Sequence, residues 1–124
     1  GNAYAGGAIM ASAADFRLMR ADRGRFCFPE VNIRIPFTPV ANAIAHLLPN
    51  KQALRTMMLT GAAYTGKECF DNGIVDGLYD SDQLQTAGYE MAQKLALKDR
   101  ATYTHIRNLM RSDIATHLTQ LSQP

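Results

Sequence analysis

Cysteine is scarce, the two signs of charge nearly cancel, and no long apolar run is present; each shortage removes a class of protein. Only Cys27 and Cys69 occur in 124 residues. Both sit inside apolar patterns, not at metal-ligand spacing, which predicts buried reduced thiols rather than a disulfide framework and a cytoplasmic or organelle-matrix setting. Lys and Arg total 13 against 11 Asp and Glu, a net charge of +2, too weak a field to argue for nucleic acid as a partner. No stretch approaches the ~20 apolar residues that cross a bilayer, so no membrane span is expected, and no basic leader opens the chain. His46, His105 and His117 share no short spacing with one another or with the cysteines, so no metal site is expected. A GxSxG nucleophile motif is absent, and the letters repeat with no period of roughly 20–50 residues.

What is present is a mostly apolar chain, 47% hydrophobic, of one domain at most, with helical and strand-like runs in alternation. Gly7 to Ala14 reads as a short helix of small residues, and Asp15 to Arg20 alternates polar with apolar as a half-buried strand does. Asp22-Arg23-Gly24 is a turn signal and Arg25 to Ile35 a second strand-like run broken by Pro29, so the two runs are expected to form a hairpin. Thr38-Pro39 is a helix entry, with Thr as N-cap and Pro in the first turn. Asn50 caps the next helix, which stops near Gly61, and Thr65 caps a third, ended by Gly73. Ile74 to Tyr79 is a strand candidate, Ser81 or Asp82 opens a helix with Leu84, Ala87, Met91 and Leu95 inward, and Ala101 to Leu121 reads as one longer amphipathic helix.

Two signals have plain explanations. Gly61 to Lys67 fits the spacing GxxxxGK, but Glu68 stands where a phosphate loop has Ser or Thr, and the segment follows a helix instead of a strand. Arg17, Arg20, Arg23 and Arg25 form a dense basic cluster that alternation puts on the solvent face of the expected hairpin.

The chemistry-bearing pattern is the run Gly1-Asn2-Ala3-Tyr4-Ala5-Gly6-Gly7-Ala8, followed at a distance by Phe28-Pro29-Glu30. The Gly-Gly step has no Cβ to obstruct a ligand, and the helix behind it leaves unpaired N–H groups at the positive end of its dipole, a setting suited to a developing oxyanion. Glu30 is the candidate proton carrier. Its neighbours Phe28, Pro29, Val31 and Ile33 are apolar, which disfavours a charged carboxylate.

On these residues the stretch GNAYAGGAIMASAADFRLMRADRGRFCFPEVNIRIPFTP resembles the crotonase (enoyl-CoA hydratase/isomerase) superfamily, and within it the monofunctional Δ3,Δ2-enoyl-CoA isomerases. The later segment LTGAAYTGKECFDNGIVDGLYDSDQL is similar to the part of that family in which a short helix precedes a strand and a last group of helices. The resemblance implies an α/β fold, an incomplete crotonase-like ββα spiral lacking its N-terminal part and followed by C-terminal helices. Residues 1–80 would be the partial spiral core with the glycine loop and Glu30, and residues 81–124 a C-terminal helical oligomerisation region. Homo-trimers or hexamers are the implied assembly.

The same resemblance implies an acyl-CoA substrate, a CoA thioester with no separate cofactor. Glu30 matches the family's second carboxylate and Gly6 its oxyanion donor. Hydratases of the family generally have a further carboxylate near the start of the helix after the glycine loop, where this chain has Ile9; an apolar side chain there cannot orient water, whereas a double-bond shift needs a single base. The implied reaction is conversion of 3-enoyl-CoA to trans-2-enoyl-CoA in fatty-acid oxidation. Ala5, Gly7, Ile9, Ile33, Pro36 and Phe37 are the candidate substrate contacts, with Ile35 beside them. A second oxyanion donor and most contacts to the adenine end of CoA are implied in strands preceding the glycine loop. Another crotonase reaction, hydration or thioester hydrolysis, and a truncated non-catalytic oligomeric module that binds acyl-CoA are the alternatives. The last three residues, Ser122-Gln123-Pro124, are not a peroxisomal tripeptide address.

Overall fold

The computed structural model describes residues 1–121; the terminal tripeptide read above lies outside them. Thirteen short elements follow one another: β1 Ala3–Tyr4, α1 Gly6–Ala13, β2 Leu18–Arg20, β3 Arg25–Cys27, α2 Glu30–Ile33, α3 Pro39–Ala45, α4 Lys51–Thr60, β4 Tyr64–Thr65, α5 Gly66–Asp71, β5 Gly77–Tyr79, α6 Leu84–Ala96, α7 Arg100–Met110 and α8 Ser112–Leu121.

The helix boundaries follow local capping chemistry. Thr38 Oγ1 accepts from the Ala41 N–H at 3.2 Å with Pro39 in the first turn, Asn50 Oδ1 accepts from the Ala53 N–H at 3.0 Å, and Thr65 Oγ1 accepts from the Glu68 N–H at 3.1 Å. Gly61 closes α4 in the left-handed region, φ 70°, donating its N–H to the Met57 carbonyl. On α4 the inward stripe is Ala53, Leu54 and Met57, all buried, joined in one core by Ala8, Met19, Phe26, Phe28, Leu48, Ile74 and Val75.

Strand pairing departs from the expected hairpin. β2 and β3 do not pair with each other. β2 runs parallel to β5, Leu18 beside Gly77, whereas β3 runs parallel to β1, Phe26 beside Ala3, and antiparallel to β4. The 22–24 turn therefore carries the chain from one small sheet into another, and the partners come from distant segments. The strand-like run 25–35 also divides. Only Arg25–Cys27 is extended, because Pro29 flanks a single helical turn, α2, whose Asn32 and Ile33 N–H groups both point back to the Pro29 carbonyl.

Two further boundaries shift. The helix expected from Ser81 or Asp82 begins at Leu84, since the N–H groups of Gln83 and Leu84 both go to the Asp80 carbonyl in a preceding turn. The single helix expected over 101–121 breaks at Arg111, whose φ of −120° leaves the helical region while its guanidinium reaches the Ala13 carbonyl and Asp15.

Arg17 is not a solvated hairpin arginine. Its Nε donates to the Ile74 carbonyl at 2.7 Å and its Nη1 to the Ala14 carbonyl at 2.7 Å, which places a cation at the C-terminal end of α1. Arg20 pairs with Asp22 instead, and Arg23 and Arg25 remain exposed. Among the described residues no helix is long and apolar enough to cross a membrane, and no group of three or more His, Cys, Asp or Glu is placed to hold a metal ion.

Candidate active site

The parallel pairing of β1 with β3 brings the two chemistry-bearing segments together. Tyr4 lies beside Cys27, and the N–H just past β1, that of Ala5, donates to the Cys27 carbonyl at 3.1 Å. Because the strands run the same way, both leave the sheet at the same edge: one continues into Ala5-Gly6 and α1, the other into Phe28-Pro29-Glu30 and α2. The carboxyl ends of parallel strands are where open α/β sheets present their ligand crevices.

A cavity of about 300 Å³ occupies this edge. It is lined by Ala5, Gly6 and Ile9 from the start of α1, by Glu30 and Ile33 from α2, and by the segment from Ile35 to Thr38. Ala41 closes one side. Of the residues expected from the sequence, Glu30, Gly6, Ala5, Ile9, Ile33, Ile35, Pro36 and Phe37 therefore meet around one space. Gly7 does not line it; one residue further along α1, it is turned about 100° round the helix axis. Thr38 and Ala41 were legible in the sequence only as the start of α3.

Glu30 is the one carboxylate in the lining. It is 6% exposed, and its Oε2 is buried with no hydrogen-bond partner. A buried acceptor without a donor is costly in a finished fold and calls for an explanation in function or in a bound group. The surroundings are apolar as expected, but Val31 and Ile33 on the same turn are half exposed, so enclosure comes from Phe28 and the core beneath. Phe28 is fully buried and sits edge-on to Phe26 at 5.6 Å and to Phe37 at 5.8 Å, a ring contact that ties the cavity wall to the core.

The glycine loop uses its residues differently from the simplest reading. Gly6 and Gly7 have ordinary backbone angles; it is Ala5 that has positive φ, 50° with ψ −119°. Such a conformation in a residue with a Cβ costs of order 1–3 kcal/mol and persists only where neighbours hold it. Here the Cys27 carbonyl holds the Ala5 N–H, and the Ile9 N–H holds the Ala5 carbonyl at 3.0 Å. The Ala5 ψ angle sets the plane of the Ala5–Gly6 peptide and so the direction of the Gly6 N–H. A Cβ added at Gly6 or Gly7 would meet no atom within 4 Å. Packing of this chain therefore does not demand glycine at either position, and of the two only Gly6 borders the cavity. No side chain caps α1, so the N–H groups of its first turn lack the i−4 partners available deeper in a helix.

A second cavity, about 240 Å³, lies between the loop Ala14–Arg17 and α7. Its polar residues are already engaged with one another. Asp15 accepts from Tyr103 Oη at 2.7 Å, from Arg107 Nε at 2.7 Å and from Arg111 Nη2 at 2.8 Å. Burial raises the Asp15 pKa, but the hydrogen bonds from Tyr103 and Arg107 and the charges of Arg107 and Arg111 outweigh that effect and hold it below its usual value. This is an attachment of the last helices, not a reactive cluster.

The enoyl-CoA hydratase/isomerase family model matches residues 1–123. Among curated proteins, the chain is 34% identical over 101 residues to the peroxisomal enoyl-CoA delta isomerase 2 of Arabidopsis thaliana, across 79% of this chain and 42% of that protein. It is 27% identical over 101 residues to the mitochondrial enoyl-CoA hydratase domain-containing protein 3 of Rattus norvegicus, across 82% of this chain and 33% of that one. Among solved structures, the apo enoyl-CoA isomerase of Mycobacterium tuberculosis superposes with a TM-score of 0.86 at 20% identity, covering 97% of this chain and 53% of that one. The likeness establishes the fold: the crotonase-like α/β spiral with C-terminal helices. The chain spans 42% and 33% of the length of the curated relatives and about half of that solved structure.

Proposed function

The chain belongs to the enoyl-CoA hydratase/isomerase family, and from that premise we propose that it carries the proton-shuttling part of an enoyl-CoA isomerase site acting on 3-enoyl-CoA thioesters. The observation that carries this reading is the composition of the cavity wall: Glu30 is its one carboxylate, buried with a free oxygen, and Ile9 stands where the family resemblance puts the further carboxylate of hydratases.

In this scheme the thioester carbonyl faces the Gly6 N–H at the start of α1. Glu30 removes a proton from C2 of the acyl chain, the electron pair moves into a dienolate, and the carbonyl oxygen takes up the negative charge. Backbone N–H groups and the positive end of the helix stabilise that charge; one such donor is commonly worth ~3 kcal/mol in the barrier. The proton returns from Glu30 to C4, and the double bond has moved from C3–C4 to C2–C3 with no net gain or loss of atoms. The acyl group lies along Ile33, Ile35, Pro36 and Phe37, the apolar side of the cavity wall. Assembly into oligomers through the exposed apolar residues of α7 and α8 belongs to the same proposal.

The test is direct. The full protein incubated with a 3-enoyl-CoA forms the conjugated 2-enoyl thioester, followed by its ultraviolet absorbance, and Glu30→Gln lowers the rate by about 10²–10⁴-fold. Addition of water to a 2-enoyl-CoA at a comparable rate would instead assign a hydratase.

A further inference from the structure

The residues flanking Glu30 make two contacts outside the cavity. Cys27 precedes Glu30 by three residues and Asn32 follows it by two, and the two side chains reach consecutive carbonyls at the end of α4. Cys27 Sγ donates to the Gly61 carbonyl at 3.2 Å, and Asn32 Nδ2 donates to the Thr60 carbonyl at 3.3 Å. The Thr60 carbonyl is one that the end of a helix leaves without an intrahelical donor. Gly61 is favoured by its backbone conformation, and a side chain there would push Asn32 aside. Its φ is 70°, and an added Cβ would come 2.2 Å from Asn32 Nδ2.

We infer that the Thr60-Gly61 end of α4 is a positioning element, gripping the Glu30 turn on both sides through Cys27 and Asn32. The inference rests on the proton-shuttle reading above. A four-residue helix cannot hold itself in water, since nucleation of so short a segment is unfavourable. Its own hydrogen bonds run only to the Pro29 and Glu30 carbonyls. Something outside must fix the turn, and α4, whose Ala53, Leu54 and Met57 are anchored in the core, is the packed neighbour that does so. Cys27 is suited to the task. It is 2% exposed, and burial, together with the nearby Glu30 charge, pushes its thiol pKa up, so the proton it donates is retained. Asn32, within α2, and Cys27, at the end of β3 that leads into it, are thus positioning residues, acting through the backbone on either side of Glu30.

The experiment uses the full protein and two readouts. Asn32→Ala, a surface change, and Cys27→Ala are compared with Cys27→Ser, which keeps a donor for the Gly61 carbonyl. Expected for the two alanine variants is a fall in kcat of about tenfold with KM within about twofold, since misplacing a reacting group costs rate while the cavity wall is retained. Cys27→Ser recovers most of the loss. Amide hydrogen exchange over 30–35 speeds up in Asn32→Ala while that of α5 is unchanged. Unchanged kcat together with unchanged exchange in both alanine variants would overturn the positioning role. Should the unmodified protein turn over no 3-enoyl-CoA, the proton-shuttle reading fails on its own, and the exchange measurement still decides whether α4 holds the turn.

Discussion

The segment that builds the cavity and the helices that follow it hide their apolar residues to very different degrees. Among the described residues, all the buried hydrophobic ones except Ile114 lie between Ala8 and Val75, whereas α6 and α7 contain no buried residue. Leu97 and Met110 are 87% and 72% exposed, and Ile106, Leu109, Leu118 and Leu121 are more than half exposed. The first region is held by burial. The last helices are attached through the half-buried side of α6, through Ile114, and through the hydrogen bonds of Tyr103, Arg107 and Arg111 to Asp15 with that of Arg111 to the Ala13 carbonyl. Burial of apolar side chains is indifferent to acid, whereas a latch built on a carboxylate is lost once that carboxylate is protonated. The proposed chemistry and the attachment of the last helices should therefore fail under different perturbations.

The largest expected effect separates rate from stability. Glu30→Gln removes the proton carrier and lowers isomerisation by about 10²–10⁴-fold. It also replaces a buried carboxylate whose Oε2 has no partner by a neutral group, so thermal unfolding stays at the same temperature or moves higher. A melting temperature lowered by several degrees would break the comparison, because it would make Glu30 structural.

Asp15→Ala is the converse. It leaves the donors of Tyr103, Arg107 and Arg111 without their acceptor and costs about 2 kcal/mol in urea unfolding, toward the lower end for ion pairs because Arg107 is 40% exposed. Hydrogen exchange should rise first in α7 and α8. The pH dependence has a definite sign. Since the folded Asp15 pKa is lowered from 3.8, its contribution is complete above that value and is lost as pH falls through the lower folded one. Acid should thus loosen the last helices before the core; simultaneous loss of both in a pH titration would count against the separation.

The smallest effect lies at the end of α2. Arg34 occupies the left-handed region, φ 60°, as the cap that turns the chain so that Ile35, Pro36 and Phe37 reach the cavity. Glycine adopts that conformation without a Cβ penalty, so Arg34→Gly should raise stability by up to about 1 kcal/mol, read as a higher urea midpoint. A lower midpoint would show that the Arg34 side chain contributes more than its backbone costs.

Much of this protein was determined by sequence alone, wherever the deciding interaction is local. Thr38 with Pro39, Asn50 with Gly61, and Thr65 fix helix ends because a cap bonds to a residue three positions away. The glycine loop and Phe28-Pro29-Glu30 likewise carried the resemblance to the family, which pointed to Glu30 as the candidate base. What only the tertiary structure decided depends on partners far along the chain. Alternation could mark Leu18 to Arg20 as extended but not place it beside Gly77 to Tyr79, and it could not foresee that Arg17 closes the end of α1. Nor could it show that Ala5, not a glycine, bears the backbone strain, because that strain is sustained by the Cys27 carbonyl on a different strand. The break at Arg111 has the same origin: a helical period continues through it, and only the reach to Ala13 and Asp15 interrupts it.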